Sequence, residues 1–69
     1  MKNFKPIETR NGFTILENKN EGAIERFRVV RHYDEKDGTW SSGYGFESLI
    51  AATAWFRRVT GFAEIWGLN

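Results

Sequence analysis

At Phe46 the hydrophobic period of this chain changes from two to 3.6, and that switch dictates strands before it and a helix after it. Beyond it, Leu49, Ala52, Phe56 and Val59 recur at helical spacing, with Trp55 widening the stripe, while Ala51, Ala54, Arg57 and Arg58 lie on or near the opposite side. The pattern predicts a helix over 47–60. Glu47 suits its first turn, Ser48 caps nearby, Arg57 and Arg58 complement its last turn, and Gly61 is a left-handed stop with Phe62 folding back on it. Residues 62–69 form an apolar tail.

Before the switch, the text reads as strands and turns. Met1–Arg10 is an extended arm or an edge strand, because Pro6 cannot donate to a central ladder. Asn11-Gly12 is a strong turn signal. As a two-residue hairpin loop it would set Arg10 opposite Phe13 and Glu8 opposite Ile15, mixing charge with hydrophobe, so it is read as a turn leading into a first strand, Phe13–Glu17. Asn18–Gly22 is a loop on composition. Ala23–Tyr33 is the longest strand candidate, with Phe27, Val29, Arg31 and Tyr33 on one face and Ile24, Arg26, Arg28, Val30 and His32 on the other.

A third strand runs from Thr39 to about Tyr44. Pairing Asp34 with Thr39 sets Tyr33 opposite Trp40, Arg31 opposite Ser42, and Val29 opposite Tyr44, which gathers the rings on one side. The other side then pairs His32 with Ser41 and Val30 with Gly43, and leaves Arg28 beside Gly45. A slip of one residue would unsort this chemistry. The expected fold is α+β in two layers: an antiparallel meander over 13–44, three-stranded, or four-stranded if the arm or the apolar tail adds a strand, with one C-terminal helix packed on its aromatic face.

Sixty-nine residues allow one core and one domain, 1–69. There is no cysteine, so stability rests on packing, and three Trp, two Tyr and six Phe supply large buried area per residue. Neither a signal-peptide core nor a membrane-length apolar run is present, and a cysteine-free chain suits a reducing compartment, so a cytoplasmic location is expected. Ten basic residues against nine acidic ones remove any bulk attraction to nucleic acid or anionic membranes.

No motif commits the chain to chemistry. Gly43-Tyr44-Gly45-Phe46-Glu47-Ser48 lies where a phosphate loop would, but it lacks the third glycine, and the chain has no room for a βαβ unit. Asp34-Glu35-Lys36-Asp37-Gly38, aligned as a calcium loop, puts Tyr33 and Tyr44 at the first and last ligand positions, where carboxylates are required. His32 opposite Ser41 is the one pair resembling a base and nucleophile, and no acid is placed to orient the imidazole. A lone histidine without cysteine or a carboxylate cluster makes no metal site. The expectation is a non-enzymatic protein without metal or cofactor.

What remains is surface. Arg26, Arg28 and His32, with Val30 between them, form a candidate partner-binding face, because arginine beside exposed apolar area is typical of interface hot spots. Arg57 and Arg58 add a second basic spot. Trp66, with Phe62 and Ile65, either closes the core or makes a contact surface, including a homodimer seam. The expected function is a small protein-binding module that docks on a larger protein or nucleoprotein complex and inhibits or recruits it. Size and layout resemble those of small phage-encoded inhibitors of bacterial defence, including anti-CRISPR proteins; the resemblance covers architecture, and no motif carries it. The alternative is a small RNA- or DNA-binding domain. Three strands and a following helix resemble part of the double-stranded-RNA-binding fold, but that family begins with a helix and carries a lysine cluster at its last helix, both absent here.

Overall fold

The computed structural model describes residues 3–66, and side chains as far as residue 61. Four antiparallel strands, β1 (Phe4–Arg10), β2 (Phe13–Asn18), β3 (Phe27–Arg31) and β4 (Ser42–Phe46), form one open sheet in chain order, followed by α1 (Leu49–Trp66). The fold is therefore α+β, with the arm supplying a fourth strand.

That fourth strand uses the hairpin rejected above on chemical grounds. Asn11 and Gly12 have φ of 51° and 83°, the left-handed pair that a tight hairpin loop requires. Arg10 faces Phe13 and Glu8 faces Ile15. The mixed pairing is tolerable because β1 is an edge strand beyond the helix footprint, so its charges reach water. Ile7 is an extra residue between Pro6 and Glu8, a bulge that changes the phase of the strand halfway along.

The expected pairing of β3 with β4 is present. Val29 faces Tyr44, Val30 faces Gly43, Arg31 faces Ser42, and Asp34 bridges to Thr39. Both elements differ from expectation in extent. β3 begins at Phe27 rather than Ala23, because Asn18 and Asn20 turn their side chains onto the backbone amides two residues on, which holds 18–22 in successive turns. Ile24 is left exposed.

His32 has φ of 58° and lies outside the strand, so the alternation that assigned Tyr33 and Trp40 to the helix side ends there. Trp40 is instead on the opposite face. Its ring meets Phe4 edge-on with centroids 5.4 Å apart, and the Arg28 guanidinium lies 5.9 Å from its centroid. Phe4 and Arg28 are both in phase with Leu16. The indole thus spans the strip above β2.

The sheet is consequently covered on both sides. Ile15 and Val29 join Ala52 and Phe56 beneath α1, with Phe13, Phe27, Phe46, Trp55 and Val59 packed around them. On the other face Leu16 and Val30 are wholly buried and Thr14 nearly so, beneath the connection that carries Trp40. The connection holds its own shape: the Asp34 carboxylate accepts from the amides of Lys36 and Asp37, and Gly38, with φ of 70°, donates to the Asp34 carbonyl at 2.7 Å.

The helix begins later and ends later than its spacing implies. Ser48 is its N-cap, with Oγ accepting from the amide of Ala51 at 3.1 Å, so Glu47 precedes the cap. Gly61 does not stop it. Its φ is not left-handed and α1 continues to Trp66, because a glycine weakens a helix by only about 1 kcal/mol where the residues after it favour helix. Arg57 and Arg58 are accordingly mid-helix. Thr60 is buried, its hydroxyl donating to the Phe56 carbonyl at 2.7 Å. The Asn11 amide donates to the Thr60 carbonyl at 3.1 Å and ties the β1–β2 turn to the helix.

Gly43 has a packing reason. A Cβ there would stand 2.7 Å from Val30 Cγ1 and 2.9 Å from the Val29 carbonyl oxygen. Gly43→Ala is therefore expected to destabilise the fold by about 1–3 kcal/mol, the usual cost of overpacking. A urea midpoint unchanged from wild type would show that the sheet has slack at this point.

Candidate interaction surface

The arginines expected to share one face do not share it. Arg26 precedes β3, and its guanidinium reaches the Glu17 carboxylate at 2.9 Å, while Nε approaches the Asn18 carbonyl at 3.3 Å. Glu17 is in phase with Ile15, on the helix side. Arg28 is in phase with Leu16, on the other side, pairing with Glu25 at 3.5 Å and covering Trp40. Each cation thus has an acidic partner and an aromatic neighbour, the latter for Arg26 being Phe27 at 5.8 Å.

Val30, expected to stand exposed between them, is 0% exposed, since the 32–41 connection folds back over the face that alternation alone would leave wet. It offers no contact area. Near Arg28, a Cβ on Gly45 would collide with the Glu25 carboxylate, so this glycine makes room for the ion pair. A partner approaching there would first meet Glu25.

His32 and Ser41 do come together as expected, with Nδ1 and Oγ 2.9 Å apart at the surface. Ser41 Oγ also donates to the Arg31 carbonyl at 3.2 Å. With that hydroxyl proton committed to the backbone, the imidazole is the donor to Ser41. The pair fastens the ends of β3 and β4 where the chain changes direction. Arg31 lies on the helix side, its guanidinium 5.2 Å from the Phe13 ring centroid, with Nε buried and lacking a hydrogen bond. Among the described residues, no group of three or more histidine, aspartate or glutamate side chains is arranged to hold a metal.

The helix carries the other cationic candidates. Arg57 and Arg58 are exposed, and no ion pair involves either among the described residues. Beside Arg57 lies a shallow groove of about 370 Å³ lined by Leu49, Ile50, Thr53 and Ala54. Leu49 is 44% exposed and Ile50 84%. Leu49, placed in the core stripe by its spacing, sits at the margin because the helix starts there and its first turn overhangs the sheet. Ile50 was legible only as the residue that breaks the polar side of the helical pattern. Trp66 is the last residue of α1, and its side chain, like those of Phe62 and Ile65, lies outside the described residues.

A second aromatic surface flanks β4. Tyr44 is 64% exposed and meets Trp55 edge-on at 5.4 Å, with Phe46 at 6.5 Å from the same indole. Together with Gly45 these rings line a cleft of about 320 Å³. Among the described residues, no helix is long and apolar enough to cross a membrane. No protein-family model, curated protein or solved structure matches the chain.

Proposed function

We propose that this protein is a non-enzymatic binding module that docks through the outward face of α1 onto a larger protein or nucleoprotein complex in the cytoplasm, blocking or recruiting it. The observation that carries the reading is the exposure of Leu49 and Ile50 in a groove shared with Arg57, with Arg58 exposed further round the helix. An exposed isoleucine on a helix gains nothing from folding, and adjacent apolar and arginine side chains are the components of which interface hot spots are built. The partner surface that fits is an apolar patch rimmed by carboxylates. Such a contact needs no cofactor.

The test is a pull-down from a relevant lysate with wild type, Ile50→Asp and Arg57→Glu. Both substitutions lie on the exposed helix face, so folding measured by circular dichroism is expected to be unchanged. Affinity for the captured protein is expected to fall at least about tenfold in each, equivalent to about 1.4 kcal/mol. Capture by both variants at wild-type strength removes this surface. Titration with generic DNA and RNA at several salt concentrations tests the other class of partner: micromolar binding with a steep salt slope would mean phosphate recognition instead.

A further inference from the structure

The two edges of the sheet are built differently. β1 carries the devices that stop an edge from pairing: Pro6, the bulge at Ile7, and charges at Lys5, Glu8 and Arg10. β4 has none of them. Its sequence, Ser42-Gly43-Tyr44-Gly45-Phe46, has neither a charge nor a proline, its register with β3 is regular throughout, and it has a strand neighbour on one side only. Alternate residues of such a strand turn amide and carbonyl groups outward, where another strand can take them.

We propose that β4 is the seam of a symmetric dimer, in which it pairs antiparallel with β4 of a second copy about a two-fold axis at Tyr44. The occupant follows from the sequence of the strand, because Gly-Tyr-Gly reads the same in both directions. An isologous interface must be self-complementary. Antiparallel pairing centred on Tyr44 sets tyrosine against tyrosine and each glycine of one copy against a glycine of the other, so no bulky side chain meets another out of register.

Electrostatics permit the approach, since β4 is uncharged and the Glu25 carboxylate over Gly45 is already paired with Arg28. The axis is perpendicular to the sheet. Both helices therefore lie on one face of a continuous eight-stranded sheet, and the two exposed Tyr44 rings cover each other as a cross-strand aromatic pair in the clefts beside Trp55. The outward face of α1 used in the proposed docking is not part of this seam.

Sedimentation equilibrium over a wide concentration range tests the pairing. Wild type is expected to approach twice the 8.0 kDa chain mass. Tyr44→Lys, which brings two cations together at the axis, is expected to weaken dimerisation at least tenfold, whereas Ile50→Asp leaves it unchanged. Hydrogen exchange on wild type supplies a readout that needs no variant: protection of the β4 amides rises with protein concentration, and that of the β1 amides does not. A wild type that stays monomeric at millimolar concentration, a Tyr44→Lys dimer as tight as wild type, or β4 exchange independent of concentration would each overturn the proposal. Loss of the dimer with the lysate partner still captured leaves the helix docking intact, and the reverse result leaves the seam intact.

Discussion

Val30→Asp is expected to leave the chain largely unfolded at 25 °C. Aspartate is no larger than valine, so the substitution introduces a polar group without overpacking the site. Val30 is 0% exposed and faces Thr14 and Gly43 across the sheet, beneath the connection bearing Trp40. The cation on the same strand face, Arg28, is already paired with Glu25, so a carboxyl group there would have to compete for that guanidinium. It must either remain charged in an apolar site or take up a proton, and either choice, with the loss of apolar burial, costs more than about 4 kcal/mol. A domain of this length has roughly 3–10 kcal/mol of total stability at typical per-residue values. Urea titration followed by tryptophan fluorescence measures the loss. The sharper comparison is with Arg57→Glu on the exposed helix face, which should barely move the midpoint. Equal midpoints for Val30→Asp and wild type would mean that the second face of the sheet is open to water.

Phe56→Ala is the second large effect, expected at about 3–5 kcal/mol. Phe56 is 3% exposed and lies at the centre of the layer formed with Ile15, Val29 and Ala52. Removing its ring opens a cavity between a helix and a sheet whose separation is held by the remaining aromatics, so collapse into the space is limited. Leu49→Ala is the matched control. Leu49 shares the helical spacing of Phe56 but is 44% exposed, and the area it hides from water corresponds to less than about 1.5 kcal/mol. Thermal denaturation should therefore show a large fall in Tm for Phe56→Ala and a small one for Leu49→Ala. Similar falls would mean that α1 sits on the sheet by a different face.

The order of elements, the β3–β4 register from Val29–Tyr44 to Arg31–Ser42, the Asp34–Thr39 bridge and the place of Phe27 and Val29 under α1 were legible because each is a local consequence of period. Alternation assigns the faces of a strand, a four-residue charged loop sets the offset of its neighbour, and recurrence at 3.6 assigns the buried side of a helix. The same reasoning misplaced the first hairpin. It judged the pairing of Glu8 with Ile15 and Arg10 with Phe13 as though β1 lay under the helix, and an edge strand beyond the helix footprint meets no such requirement. Gly61 misled for a related reason: glycine permits a left-handed stop without imposing one, and the continuation of α1 is decided by the residues after it.

The candidate basic face shows the limit most clearly. Arg26, Arg28, Val30 and His32 alternate with the aromatic positions, and alternation does place Arg28 and Val30 opposite Val29. It carries no information about what lies above them. One residue in a left-handed conformation, His32, breaks the alternation, so that Trp40 crosses to the Arg28 side and lies beneath the guanidinium, Val30 on the same face is buried, and Arg26, outside the strand, reaches round to Glu17.

Periodicity and turn chemistry were therefore enough to specify two layers, the core stripe of the helix and the β3–β4 pairing, since these depend on neighbours a few residues apart. Which polar face stays wet, which cation finds a carboxylate and which sheet edge is left open depend on segments far apart in the chain meeting in space. Long-range packing settles those matters because the area removed from water when Trp40, Phe4 and Leu16 come together outweighs the weaker local preference of any one of them for solvent.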